Sequence, residues 1–413
     1  MTVPVEDLLR GLAPQVLGAL VRRHGDFARC EDAVQEAVVA AHAAWTAGGL
    51  PDAPRAWLRT VATRRLVDDL RATAARERRE AAVAQQARLF APAADEPEAG
   101  DDALALLVLC GHPALSPPSQ LALMLRAVSG LSTAAVARAL LVPEATVGQR
   151  ISRAKASIRA AGGRFGLPGP AELAARLTVI HQVLYLMFNE GWSASEGDEL
   201  LRPDLTTEAV RLMRLLHGYL PSSTETSGLL ALMLLQDSRR AARTDVDGAL
   251  VPLAEQDRLR WDVTAIAEGA ALVVDALSAG PAGPYALQAA IAAVHAEAPS
   301  SAQTDWAQVV GLYDALQRVA PSPVAELNRA VAVGMAQGPA AGLAVLDALA
   351  DGPLAAHHRL AAVRAHLLEA AGDHVGAARA YREAARRATN TREQRFLALQ
   401  AVRLKGWATG PRA

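Results

Sequence analysis

Apolar residues recur along this chain at three- and four-residue intervals, and no stretch alternates apolar and polar positions over a strand's length. Val5, Leu8, Leu9 and Leu12 open the series, and Pro14 reads as the first-turn residue of a second helix, where its missing N–H is harmless. A third helix is expected at about 30–45, then a break at AGGLPDAP (47–54), then a fourth helix from Pro54 past Arg71. Residues 76–100 pass from charged to Pro-, Ala- and Glu-rich and read as a linker. Four helical patterns follow, Leu104–Cys110, Pro118–Val128, Ser132–Leu140 and Glu144–Ala160, before GGRFGLPGP (162–170) defeats any regular element. From 171 onward the chain reads as helices separated by Gly- and Pro-marked turns. The expected fold is all-α: small helical domains at 1–75 and 101–163, a helical extension at 171–280 and a repeat-like helical region at 281–413.

Composition supports helices. Of 413 residues, 51% are hydrophobic but only 4% aromatic, so the core is built from Ala, Leu and Val, which suits close helix packing better than a β-sandwich. The formal net charge of −1 hides a split. Residues 1–170 carry 20 Lys and Arg against 17 acids, and residues 171–413 carry 22 against 26. Such a chain can meet nucleic acid with its front half alone. Two cysteines, Cys30 and Cys110, make no disulfide framework and no zinc spacing. With no signal peptide in MTVPVEDLLR and no membrane-length apolar run, a cytoplasmic protein is expected.

The most specific local signal lies at 131–159. Ser132 and Thr133 can cap a short helix whose apolar face is Ala135, Val136 and Leu140, and Leu141–Pro143 makes a tight turn. Glu144 then starts a helix with Val147, Ile151, Ala154 and Ile158 on one stripe. That is a helix-turn-helix, which lays its second helix in the major groove. Residues 126–164 hold seven basic side chains against one acid, Glu144. Arg150, Arg153, Lys155 and Arg159 avoid the stripe and can reach phosphates or base edges. The plain alternative is a solvated basic face on a helical hairpin.

A second signal spans 26–71. Glu31, Asp32, Gln35 and Glu36 form a compact acidic surface opposite Ala33, Val34, Ala37 and Val38. Trp57, Leu58, Val61 and Ala62 are expected in the core of the next helix, leaving Arg55, Arg59, Arg64 and Arg65 outside it. Each helix alone is an ordinary amphipathic one.

Together they resemble the extracytoplasmic-function group of sigma-70-type factors. The region 2 pattern stands here as Glu31-Asp32-Ala33-Val34-Gln35-Glu36 and as Trp57-Leu58, Val61-Ala62, Asp68 and Arg71. The region 4 pattern stands at Thr146, Val147, Arg150, Arg153, Ala154 and Lys155. YLMFNEGW, GLLALMLLQDSRRAART, EQDRLRWD and GPYALQAAIAAVHAEA are similar to the subgroup with a tetratricopeptide-like C-terminal region. GDHVGAARAYREAA resembles the second half of one such hairpin, with Gly372, Ala377, Tyr381 and Ala384 at packing positions.

The resemblance implies a transcription-initiation factor, not an enzyme, needing no cofactor or metal. Glu31, Asp32, Gln35 and Glu36 would dock on the β′ clamp helices of core RNA polymerase, with the β flap as a second contact. Trp45, Arg55, Trp57, Arg59, Arg64 and Arg65 would hold the unpaired −10 strand of promoter DNA. Thr146, Gln149, Arg150, Arg153 and Lys155 would meet the −35 duplex, with base readout expected to be sparse because residues such as Gly148 carry no polar side chain. The C-terminal part would be regulatory, with a regulatory protein as a further partner.

His181, Asn189 and Glu190 lack HExxH spacing, and GGRFG lacks the Lys-Ser/Thr of a phosphate loop. Asp237, Arg239, Arg240, Asp257, Arg258 and Asp262 form a charged group read first as internal ion pairing, with a ligand or protein contact as the alternative. The competing function is a one-component helix-turn-helix regulator whose helical C-terminal domain senses a ligand. It leaves the 26–71 pattern without a role.

Overall fold

The computed structural model describes residues 5–80, 101–160 and 170–409. The expected linker beyond Glu80 and most of the Gly/Pro stretch at 162–170 lie outside the described residues. Among those described, regular structure is helical, with two isolated bridge pairs and no strand. The chain forms two compact units, which divide after Met187.

The first unit opens with α1 (Val5–His24), α2 (Phe27–Gly48) and α3 (Pro54–Glu80). The expected helix start at Pro14 is not observed: α1 runs straight through it. An interior proline forfeits one backbone hydrogen bond and costs about 3 kcal/mol. Burial of Leu9, Val16, Leu17, Leu20 and Val21 along one continuous stripe offsets that loss. Asp26 caps α2 by accepting from Arg29 N, and positive φ at Gly25 and Gly49 turns the chain at either end of that helix. Phe27, Val34, Ala37, Ala41, Leu58, Ala62 and Leu66 complete the three-helix core.

Four shorter helices follow: α4 (Asp102–Cys110), α5 (Pro117–Ser129), α6 (Thr133–Ala139) and α7 (Glu144–Ala160). α4 is apolar on every side, and Leu104 and Leu106–Cys110 are all buried, because it lies between α1 and α5. The approach of α1 is close. A Cβ on Gly18 would stand 2.1 Å from the Asp102 carbonyl oxygen, so only glycine fits there. The long helix α8 (Pro170–Trp192) starts in this unit, where Arg176 donates to the Val108 carbonyl at 2.7 Å.

The second unit takes up the end of α8 and continues with α9 (Pro203–Tyr219), α10 (Thr224–Asp237), three single-turn 3-10 helices between 240 and 260, and α11 (Val263–Ser278). Then come α12 (Pro284–Glu297), α13 (Trp306–Val319), α14 (Pro323–Gln337), α15 (Pro339–Asp347), α16 (His358–Ala370), α17 (His374–Arg387) and α18 (Thr391–Thr409). Neighbours in sequence from α9 to α18 pack as neighbours in space. α10 is buried throughout Leu229–Leu235. In the α16–α17 hairpin the turn is Gly372 at φ +83°, Ala377 and Ala384 are buried in the seam, and the Tyr381 hydroxyl donates to Glu369 Oε2 at 3.2 Å. The row of helices closes on itself. Thr391 N donates to Gly197 O (3.0 Å), Asn390 Nδ2 to Glu199 O (2.8 Å) and Arg392 Nε to Asp198 O (2.9 Å).

Candidate promoter and polymerase interface

The helix-turn-helix is built from its caps inward. Ser132 Oγ accepts from Ala135 N at 3.0 Å to start α6, and Pro143 O accepts from Thr146 N at 3.0 Å to start α7. Between them Leu141 takes φ +53°, the one non-glycine among the described residues with positive φ. α7 buries Val147, Ala154 and Ile158, as their spacing predicts. Gln149 and Arg153 are therefore exposed and Thr146 and Arg150 half-buried, all on the side away from the buried stripe. Gly148 sits on this face with open space around it.

Lys155 occupies the other flank of the stripe. Its Nζ lies 2.6 Å from Glu31 Oε2 of α2. The expected acidic surface is corrected accordingly: Asp32, Gln35 and Glu36 are exposed, but Glu31 is only 7% exposed and pairs with α7. Glu36 is 3.6 Å from Arg65 Nε across the α2–α3 surface.

On α3, Leu58, Ala62 and Leu66 are buried, and Arg59, Arg64 and Arg65 are exposed as expected. Arg55 is half-buried, and its Nη2 lies 2.8 Å from Asp102 Oδ2. Arg22 Nη1 holds the other oxygen of the same carboxylate at 2.6 Å, and the Asp102 side chain is 1% exposed. Trp45, expected among the residues that hold the unpaired −10 strand, offers almost no exposed surface. It is buried, with its ring edge-on to Trp57 at 5.5 Å, because it continues the α2 core stripe of Val34, Ala37 and Ala41. Trp57 is half-buried rather than in the core, so it is the more accessible of the two indoles.

Sequence reasoning missed Asp102 and Arg22. The available signal was a pair of adjacent acids, Asp101 and Asp102, before an all-apolar helix. Asp101 caps that helix through Ala103 N and Leu104 N, which leaves Asp102 for another task.

The residues considered for enzyme chemistry have structural roles. His181 is buried and its imidazole is pushed down to about 4 by that burial. Glu190 accepts from both N and Oγ of Ser195. Burial pushes the Cys30 thiol up to about 12 and raises Cys110 further, so both are poor nucleophiles. Among the described residues no three His, Cys, Asp or Glu side chains gather as metal ligands, and no helix is long and apolar enough to cross a membrane. In the charged group of α10–α11, Arg240 clasps Asp237 with two hydrogen bonds of 2.7 and 2.6 Å, while Asp257 and Asp262 cap helices.

Three family models match. Sigma-70 region 2 covers residues 8–76, Sigma-70 region 4 covers 106–158, and a family of unknown function, DUF6596, covers 176–277. A protein of Rhizobium meliloti (strain 1021), described only as uncharacterized, is 42% identical over 396 residues, which is 94% of this chain and 92% of that protein. No solved structure matches. The region 2 match spans α1–α3 with the acidic face of α2, and the region 4 match spans the helix-turn-helix. The chain therefore belongs to the sigma-70-type factors of transcription initiation, and carries a helical C-terminal extension.

Proposed function

We propose that this chain binds core RNA polymerase through Asp32, Gln35 and Glu36 on α2, against the β′ clamp helices, and directs it to promoters. The outer face of α7, with Thr146, Gln149, Arg150 and Arg153, meets the −35 duplex. Trp57, Arg59, Arg64 and Arg65 grip the unpaired −10 strand by charge and stacking. Trp45 supports Trp57 from below, and the β flap receives the region 4 domain.

One observation carries this reading into mechanism. Glu31, expected at polymerase, is paired with Lys155, expected at DNA, and Arg55 is held by Asp102, so these groups are occupied inside the packed unit. The −35 and −10 elements are separate stretches of the promoter, and each intervening base pair adds ~3.4 Å between their readers. A unit with α7 in contact with α2 cannot span that distance. The packed first unit is thus the resting form, and polymerase binding releases region 4 from region 2, freeing Glu31, Lys155 and Arg55 for their promoter and polymerase contacts.

We assign the second unit to the tetratricopeptide-like class, supported by the Gly372 turn and the Ala377–Tyr381–Ala384 seam, and give it a regulatory role that initiation requires. It offers a surface for a regulatory protein. Run-off transcription from a promoter library with core polymerase tests the whole reading. Transcripts should depend on both polymerase and this chain. Sequence-specific duplex binding without polymerase, and no transcripts with it, would instead favour a one-component regulator.

A further inference from the structure

Among the described residues of the second unit, three clustered guanidinium groups make no ion pair with a carboxylate. Arg239 and Arg243 are half-buried against one indole: their guanidinium carbons lie 5.1 and 4.5 Å from the Trp192 ring centre. Arg239 Nη2 donates to Gln236 Oε1 (2.5 Å), and Arg243 Nε donates to the Trp192 carbonyl (3.2 Å). Arg258 lies 4.3 Å over the Trp261 ring and donates to the His295 carbonyl at 2.9 Å. Every one of these partners is neutral. Elsewhere in the same unit, Arg202, Arg211, Arg214, Arg240 and Arg329 each contact a carboxylate at 2.7 Å or less.

The surroundings add more positive charge than negative. Burial, and then Arg258, push the Arg239 guanidinium down to about 10. Burial, and then Arg239 and Arg359, push Arg243 down to about 9. Glu393 bears on Arg243 from the start of α18 but is itself held 3.2 Å from His358 Nε2. Beneath Arg258, the Nε1–H of Trp261 is buried with no acceptor, a donor left waiting in the same cluster. Gathering cations away from water without counter-charge is unfavourable unless an anion completes the group. Guanidinium forks match tetrahedral oxyanions with paired N–H···O bonds, and an aromatic backing holds the forks in place.

We propose that Arg239, Arg243 and Arg258, braced by Trp192 and Trp261, form a binding site for a phosphate-class oxyanion. Three cations in one cluster favour a doubly charged tetrahedral group over a carboxylate. Free inorganic phosphate and the phosphoryl end of a small metabolite present the same chemistry.

Isothermal titration calorimetry on the full chain tests the site, with inorganic phosphate, pyrophosphate, AMP and acetate as probes. Saturable binding is expected for at least one phosphate probe and none for acetate. Preference for phosphate points to the free ion, and preference for AMP to a phosphomonoester. Arg239→Gln and Arg243→Gln should each weaken binding at least about tenfold, and Arg329→Gln, which removes a carboxylate-paired charge elsewhere in the unit, should not. Thermal melting guards against misfolding. Without phosphate, Arg243→Gln should melt at or above the unmodified protein, because a repulsive buried charge is gone. No saturable binding of any phosphate probe, undiminished binding in both variants, or an equal loss in Arg329→Gln would overturn the assignment.

Discussion

Lys155 of the helix-turn-helix and Glu31 of the region 2 acidic helix are 2.6 Å apart, so one ion pair ties α7 to α2. Glu31 is largely buried and Lys155 retains some exposure. Removing one partner leaves a charge without compensation, and partial exposure lowers the cost below that of a fully buried pair. Lys155→Met is expected to destabilise the first unit by about 1–3 kcal/mol, measured by urea unfolding. The double variant Glu31→Lys/Lys155→Glu should recover part of that loss. Asp102→Asn removes the carboxylate shared by Arg22 and Arg55, which joins α4 to α1 and α3, and should destabilise the first unit more, because the carboxylate is 1% exposed.

The two halves of the promoter account separate cleanly by mutation. Asp32→Lys with Glu36→Lys should abolish holoenzyme assembly in a pull-down while helicity stays unchanged. On α7, losing a bidentate base contact costs about 1–3 kcal/mol and relaxes specificity at one base pair, whereas losing a phosphate contact weakens all sequences alike. Arg153 is the more exposed arginine and is expected to give the sequence-specific loss on Arg153→Ala. Promoter variants assayed with holoenzyme check it; an even loss across all −35 sequences would make Arg153 a positioning contact.

Leu141 carries a side chain where the turn demands φ +53°. A left-handed conformation costs a non-glycine residue roughly 1–2 kcal/mol. The side chain is 61% exposed, so little packing is lost with it. Leu141→Gly should therefore raise the stability of the first unit by up to about 1 kcal/mol, after the added freedom of the unfolded chain is deducted. Chemical denaturation of the single variant decides it.

Acid should weaken both units. Burial pushes His181 down to about 4; His295 is pushed down to about 4 by burial first, then by Arg239 and Arg258. A histidine with a depressed folded pKa is protonated first in the unfolded chain. Its contribution is complete above the unfolded value of ~6.5 and falls as pH drops toward 4, by up to about 1.4 kcal/mol per pH unit per group. His181→Gln should flatten the acid side of the pH–stability curve of the first unit, followed by near-ultraviolet circular dichroism from pH 7 to 4.

The helices were legible in the sequence because their apolar spacing survives almost unchanged in the structure. The stripe Val147, Ala154 and Ile158 is buried, and Gln149 and Arg153 stand outside it, as period 3.6 demands. What escaped depended on contacts between distant segments. Glu31 and Lys155 are 124 positions apart, and each satisfies its own helix equally well as a solvated charge. Pro14 looked like a boundary because local chemistry disfavours it inside a helix, and only the shared burial of both halves of α1 overrides that. Trp45 was different. Its place on the Val34–Ala37–Ala41 stripe follows from the helical spacing, whereas the −10 role comes from the resemblance alone.

The central claim is that the first unit rests closed and opens on polymerase, and a distance measured between α2 and α7 tests it most directly. Ala43 and Ser152 are both exposed, and the buried thiols Cys30 and Cys110 are poorly reactive, so Ala43→Cys/Ser152→Cys takes two fluorophores selectively. Energy transfer should be high in the free protein and fall steeply when core polymerase and promoter DNA are added, as α7 separates from α2. High transfer retained in a holoenzyme that is initiating transcription would contradict the account.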